Sequence, residues 1–412
     1  MNNRPLRAVT LIWAAVMIAV ISSTVTMLVS GKTAPQNAQD SRWVSQEEYD
    51  TIQRYSRLDA VRRTLLSDYY EELDEDKLLL GAIRGMTGSV GDPYTFYYTP
   101  EELIRANENN AGLYHGIGVL LQNTRQGGIE IIRVYPDTPA EAAGLKERDI
   151  ILSVDGIEVS GADGRAYNEA VNRIRGKEDT RVNISVLRNG ERMEFTVSRA
   201  NVSVSYASYQ MLPGDIGYID ITQFTGNASA VFREAIQSFR SRNARGLVID
   251  LRNNPGGLLD QVVSIADELL PTGVIVYIRE RDGNRQDFYS DEQMYDIPLA
   301  VLVNDMSASA SEILASAVQA FGRGTVIGVN TYGKGIVQSL ITYPEDDAGI
   351  QLTTSSYYDA LDRCPHKVGV KPDVEVALEG ETIPLEPDPK SDNQLAAAIA
   401  DVQRQIDARA GR

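Results

Sequence analysis

Cysteine is all but missing from this chain of 412 residues. Cys364 stands alone, so no intramolecular disulfide can form and sulfur says nothing about the redox compartment. Histidine is nearly as scarce: with only His115 and His366 present, a Cys/His metal cluster is excluded, and no metal or other cofactor is expected. A His-Glu-x-x-His helix and a Gly-x-Ser-x-Gly elbow are both absent, which removes two common hydrolase types. A Ser-His-Asp triad would need one of the two histidines, and neither position recommends itself. His115 adjoins a glycine-rich loop, and His366 sits in a polar turn with Cys364 and Pro365. Positive charge is in deficit too: the formal net charge of -17 sets the average surface field against a nucleic-acid partner, and none is expected. What remains is an ordinary globular composition, 43% apolar and 24% charged, with enough chain for two to four domains of about 100 to 200 residues. No internal repeat is visible.

Long apolar runs are absent except for one. Arg4 and Arg7 precede an uncharged stretch from Ala8 to Val29, long enough as a helix to cross a hydrocarbon core of about 30 Å. A cleaved signal peptide needs an apolar region of only about 7 to 15 residues, so the length favours a retained anchor, with a secreted protein as the alternative. The positive flank places the amino terminus in the cytoplasm and everything after Lys32 outside. The expectation is a single-pass protein of the cell membrane whose working part is extracytoplasmic.

Residues 1–31 are thus the cytoplasmic tip and anchor, and residues 32–112 a linker and helical region. Ser45-x-x-Glu48 is a capping box, followed by Tyr49, Ile52, Tyr55, Leu58, Val61 and Leu65 every three or four residues. A second helical stretch covers Leu78 to Gly85, and Asp92-Pro93 forces a turn. These helices suit a collar or a homodimerisation arm, or equally a face packed on the rest of the protein.

From Gly116 short alternating strands take over: Ile129 to Val134, Ile150 to Val154, Val182 to Leu187 and Met193 to Val197, with one helix from Ala166 to Ile174. The Gly116-Ile117-Gly118-Val119 stretch, Pro139 to Leu145 and Asp149 to Gly156 together resemble a PDZ domain, here over 113–202, although Glu147-Arg148-Asp149 replaces the usual Pro-Gly-Asp. The resemblance implies peptide capture by strand addition, the backbone from Gly116 through Ile117 and Gly118 to Val119 receiving a terminal carboxylate. Closely spaced glycines let backbone N–H groups approach an anion, and they serve equally for a tight turn.

Beyond Ser203 strands alternate with longer helices, an α/β arrangement over 203–382. Strands are expected at Ile216 to Ile221, Gly246 to Leu251, Val274 to Ile278, Leu299 to Val303 and Thr325 to Val329. Helices are expected at Ala230 to Phe239, Leu258 to Leu270 and Ala310 to Phe321. The apolar strands Leu247-Val248-Ile249 and Ala300 to Val303 predict a sheet covered on both faces. Residues 383–412 form a linker and a last helix from Asn393.

Three segments of this region can carry chemistry. In Ser307-Ala308-Ser309-Ala310-Ser311-Glu312, small residues between a buried strand and a helix allow close approach, and the helix start offers free N–H groups to an oxyanion. Any of the serines can also simply cap the helix, Ser309-x-x-Glu312 being a formal capping box. In Gly333-Lys334-Gly335-Ile336-Val337-Gln338, a strand beginning at Lys334 would put Lys334, Ile336 and Gln338 on one face, so that the amide orients the amine. A desolvated lysine can lose its proton and serve as a base without any histidine. Gly328-x-x-x-x-Gly333-Lys334 begins like a Walker A loop but continues with Gly335 where Ser or Thr should hold Mg²⁺, and leads into a strand rather than a helix. Asp250 to Gly257 ends in paired glycines, which suit a backbone donor or a plain turn.

The order of these segments, with Gly369 to Val374 after them and the PDZ-like module before, resembles the carboxyl-terminal processing peptidases over about residues 45 to 380. That resemblance implies a crotonase-like α/β peptidase core with an inserted PDZ domain, acting on proteins with accessible carboxyl termini. It implies Ser309 as nucleophile, Lys334 as general base, Gln338 as the lysine-orienting residue, and the Gly256 and Ala310 amides as the oxyanion hole. It further implies that peptide binding gates the site, with Arg175 as relay. The segment Asp359 to Val368 departs from the family pattern, which bears on substrate preference and is expected to leave Ser309 and Lys334 untouched. The function expected is an extracytoplasmic serine endopeptidase; the alternative is a non-catalytic PDZ scaffold on the outer membrane face.

Overall fold

The computed structural model of the chain describes residues 45–111, 113–123, 128–135, 137–159, 170–203, 205–380, 383–384 and 386–411. The expected anchor, Ala8 to Val29, lies outside the described residues, as does the first part of the expected helix Ala166 to Ile174, of which 170–174 is helical. The described residues form two compact units, one up to Ala82 and the other Ile83–Arg412.

The first helix, α1 (Gln46–Asp68), starts at the expected box: the Ser45 side chain accepts the Glu48 N–H, and the Glu48 carboxylate accepts the Ser45 N–H. Its apolar residues from Tyr49 to Leu65 are all exposed. Helix α2 (Glu75–Gly88) leads to the Asp92-Pro93 turn, strand β1 (Phe96–Tyr98) and helix α3 (Pro100–Asn110).

Strand β2 (Leu113–Gly116) opens a small β domain and pairs antiparallel with the strand that closes it, β9 (Ala200–Ser203). Between them β3 (Val119–Asn123), β4 (Ile129–Val134), β5 (Ile150–Val154), β6 (Ile157–Glu158), β7 (Arg181–Arg188) and β8 (Glu191–Ser198) form one sheet, with helix α4 (Pro139–Ala143) packed beside it. Its own core includes Ile117, Ile129, Ile131, Ile151, Val182, Ile184 and Val186, all buried. Among the described residues strand β3 stands at the edge of this sheet, the position at which a peptide strand can add.

The remainder is built on a sheet of order β10-β11-β12-β15-β16-β19. Strand β10 (Ala207–Leu212) runs antiparallel to β11 (Ile216–Ile221), and β11, β12 (Gly246–Asp250), β15 (Leu299–Val303), β16 (Thr325–Gly328) and β19 (Val374–Glu375) are mutually parallel. As expected, both faces are covered. Leu247, Ile249, Val301 and Val303 join a core with helices α5 (Ala228–Ser241), α6 (Leu259–Asp267) and α7 (Ala310–Ala320), while Val248, Ala300 and Leu302 face α8 (Asn393–Ala410). Period-two alternation sends neighbouring residues to opposite faces, and both faces are dry, so the strand reads as an unbroken apolar run. A second sheet contains β13 (Gly273–Glu280), β14 (Arg285–Ser290), β17 (Ile336–Tyr343) and β18 (Ala348–Asp359), and β1 joins it through Phe96 opposite Gln351. The segment that precedes the β domain in sequence is therefore a strand of this sheet.

Candidate active site

The three chemistry-bearing segments leave the sheet at the carboxyl ends of β12, β15 and β16, where the ligands of parallel sheets collect. Strands β12 and β15 are adjacent, as are β15 and β16, so turns far apart in sequence become neighbours.

Three serines compete for the nucleophile's role, and two are consumed by structure. Ser307 is buried; its hydroxyl donates to the Leu251 carbonyl at 2.8 Å and accepts the Asn304 N–H at 2.9 Å. The Ser311 hydroxyl, also buried, donates to the Asn254 carbonyl at 2.9 Å. Both tie the start of α7 to the turn after β12. Ser309 is only partly buried and occupies the N-cap of α7 at φ 56°, ψ -113°. This backbone region costs a non-glycine residue about 1 to 3 kcal/mol and persists where surrounding contacts over-determine it.

Glu312 supplies those contacts. The fully buried carboxylate accepts the Ser309 N–H at 2.9 Å, the Thr331 hydroxyl at 2.5 Å, the Gly333 N–H at 2.8 Å and the Lys334 N–H at 2.8 Å. Four donors satisfy a charge that would otherwise be prohibitive to bury. The same carboxylate thereby holds the backbones of Ser309 and Lys334 together. Sequence reading treats Glu312 as a capping residue only; an acid in a segment otherwise made of small residues is the available signal.

Lys334 precedes its strand instead of starting it. Strand β17 begins at Ile336, and its register shifts between Val337 and Gln338. The expected common face of Lys334, Ile336 and Gln338 therefore does not form, because a bulge breaks the period of two. Gln338 Nε2 donates to Thr353 Oγ1 at 3.0 Å, not to the lysine. The Lys334 amine lies 4.1 Å from the centre of the Tyr94 ring and is not hydrogen-bonded to the Ser309 hydroxyl. Burial lowers the lysine pKa from its ordinary value, against the opposing charges of Asp92 and Glu312.

Gly256 packs directly against the N-cap: a Cβ there would stand 2.8 Å from Ser309 Cβ and 2.7 Å from the Ala308 carbonyl oxygen. Its N–H, however, already donates to Asn254 Oδ1 at 2.8 Å, so it is not free for an oxyanion in this arrangement. The N–H groups of exposed Gly257 and of Ala310 have no acceptor among the described residues. Behind the turn, buried Arg252 bridges Asp250 and Asp392, with N···O distances of 2.6 and 2.7 Å, locking the turn after β12 to the start of α8.

The segment Asp359 to Val368 is not remote from this site. The Lys367 N–H donates to the Gly333 carbonyl at 2.8 Å, and a Cβ on Gly335 would meet the His366 nitrogen at 2.5 Å. It clamps both glycines flanking Lys334. His366 serves as part of this clamp; the side chain of His115 lies outside the described ones.

In the small β domain, a cavity of about 220 Å³ is lined by Gly116, Ile117, Gly118 and Val119, by Val171, Ile174 and Arg175, and by Tyr206 and Gln223 from beyond the domain. Gly118 has φ 86°, and a Cβ on it would stand 2.4 Å from Thr138 Cβ. No group of acidic, histidine or cysteine side chains suited to a metal occurs among the described residues, nor is any of their helices long and apolar enough to cross a membrane.

Residues 215–376 match the model of peptidase family S41, residues 115–198 that of a PDZ domain, and residues 16–102 that of the N-terminal domain of the activating protease CtpB. The chain is 32% identical over 376 residues to the carboxy-terminal processing protease CtpA of Bacillus subtilis, covering 90% of this chain and 78% of that protein. It is 37% identical over 300 residues to a carboxyl-terminal-processing protease of Synechocystis sp., covering 71% and 69%. Among solved structures it resembles a photosystem II D1 C-terminal processing protease, with a TM-score of 0.51 and 26% identity over 81% of this chain and 94% of that one.

Proposed function

Because the chain belongs to peptidase family S41, as a carboxyl-terminal processing serine protease with a PDZ domain, we propose that it hydrolyses peptide bonds through an acyl-enzyme on Ser309, with Lys334 as general base. The observation that carries this reading is Glu312, which draws the backbones of Ser309 and Lys334 onto one buried carboxylate. Ser309 supports it further, since the hydroxyls of Ser307 and Ser311 are engaged elsewhere.

The neutral Lys334 amine takes the Ser309 proton as Oγ attacks the scissile carbonyl, then passes it to the leaving amine. A water activated by the same amine releases the acyl group. The tetrahedral oxyanion falls to the Ala310 N–H, with the Gly256-Gly257 turn as second donor; Gly256 would first have to release Asn254, whereas Gly257 is free. Gln338 orients the amine through its Oε1, which accepts from Lys334 while Nε2 keeps its bond to Thr353. Substrates are proteins whose carboxyl terminus adds to the β3 edge, an apolar terminal side chain resting on Val171 and Ile174, with Arg175 relaying occupancy toward the core. The scaffold alternative has lost its ground, since the chain belongs to a family of hydrolases. The apolar run Ala8 to Val29 supports a single-pass placement with the catalytic part outside the cytoplasm, and the exposed stripe of α1 supports pairing with a second copy.

The test is cleavage of an unfolded protein by the full chain, with products read by mass spectrometry. Wild type should cut, and Ser309→Ala and Lys334→Ala should each leave the substrate intact. Retained cleavage in either variant would sink the dyad.

A further inference from the structure

The turn before β1 reaches the lysine from a part of the chain that no catalytic motif includes. Asp92 shapes it, accepting the Tyr94 N–H at 3.0 Å and the Thr95 hydroxyl at 2.7 Å. The second sheet then holds it in place: Gln351 Nε2 donates to the Tyr94 carbonyl at 3.2 Å, and the Thr353 N–H donates to Thr95 Oγ1 at 3.2 Å. The Tyr94 hydroxyl meets that of Tyr332 at 3.5 Å. The ring so fixed presents its face to the Lys334 amine, 4.1 Å from its centre.

An aromatic face attracts an ammonium through its quadrupole and does little for a neutral amine. A base must be neutral and within hydrogen-bond reach of the proton it takes. The observed contact serves neither requirement, since it rewards the charged form and keeps the amine on the ring instead of on Ser309. We infer that Tyr94 is a positioning residue for Lys334, its ring holding the amine charged and away from Ser309, so that the base comes free only when the amine leaves the ring. This inference rests on the reading of Lys334 as the base. The other groups around the amine are Asp92 on the same turn, Glu312 on α7 and Tyr332 on the lysine's own segment, with Tyr357 and Cys364 behind Gly335. Asp92 and Glu312 work in the ring's direction by favouring the charged form, and burial works against all three.

The experiment titrates the amine directly. The full chain is acetylated with acetic anhydride across pH 6 to about 11, a range chosen to span a lowered lysine pKa, and Lys334 is read by mass spectrometry of its peptide. Wild type is compared with Tyr94→Phe and Tyr94→Leu, and Tyr94→Met serves as a second ring-free variant if the leucine variant unfolds. Loss of the ring should lower the midpoint by about half a unit to one unit. Phosphonate labelling of Ser309 at pH 7 should then rise roughly three- to tenfold, and Tyr94→Phe should keep the wild-type midpoint. An unchanged or raised midpoint in the ring-free variants overturns the inference, as does a fall in Tyr94→Phe equal to theirs. Because acetylation does not depend on catalysis, a lowered midpoint together with an active Lys334→Ala enzyme would fail the base reading while leaving the ring contact standing.

Discussion

The carboxylate of Glu312 and the backbone N–H of Lys334 meet at 2.8 Å across 22 residues of sequence. The same oxygen takes the Ser309 N–H at 2.9 Å, so neither segment can shift without disturbing the other. Glu312→Gln would turn an amide NH₂ toward N–H donors and remove the charge they stabilise. Hydrogen bonds to a charged group contribute about 1.5 to 3 kcal/mol each. The variant should lose at least about 2 kcal/mol by urea unfolding and lose phosphonate labelling of Ser309. Wild-type labelling in a destabilised variant would detach Glu312 from the site's geometry.

Gly256 has φ 106° and no room for a Cβ beside Ser309. Gly256→Ala combines backbone strain of about 1 to 3 kcal/mol with a push on the N-cap. Peptide hydrolysis should fall by at least about a hundredfold, the loss associated with one oxyanion donor. A kinetic comparison of the purified variant with wild type decides this, and near-normal kcat would show that the turn yields without cost.

The two glycines of the Gly116 to Val119 stretch make different demands. A Cβ on Gly118 collides with Thr138, whereas one on Gly116 meets nothing within 4 Å. Gly118→Ala should abolish binding of a fluorescent peptide with a free apolar carboxyl terminus, measured by anisotropy, and Gly116→Ala should bind it. Equal loss in both variants would mean that the peptide does not use this loop as described.

Asp220 gives stability a pH dependence. Burial, aided by the neighbouring charge of Asp250, pushes its carboxyl up to about 7, against the opposing Arg133 and Arg252. Since the folded value lies above the unfolded one of about 3.9, the folded state binds the proton more tightly. This contribution is full below about pH 4 and is lost as the pH rises through about 7. Asp220→Asn should flatten that decline between about pH 4 and 7 in chemical denaturation, and parallel curves for the two proteins would refute the assignment.

The strands of the main sheet were legible because their apolar runs are local. Ile216–Ile221 and Leu299–Val303 fall at the expected bounds, and α7 ends one residue earlier than expected. The second sheet was not so legible. Its strand β18 carries a mixed pattern of partly buried polar residues, Thr353, Thr354, Ser355 and Ser356, and its partner β17 begins two residues late with a bulge. Periodicity carries no information about a bulge, which is set by what packs on the two strands.

The sequence by itself determined the order of the motifs, the placing of small residues where backbones must approach, and the family to which that order belongs. The fold alone decided that Ser307 and Ser311 spend their hydroxyls on the turn after β12, that Glu312 joins two segments, that Gly256 is engaged by Asn254, and that the lysine amine rests on Tyr94. The reason is one of range. Propensity and period act over a few residues, whereas these contacts join turns at the ends of adjacent parallel strands and, for Tyr94 and Tyr332, residues 238 positions apart.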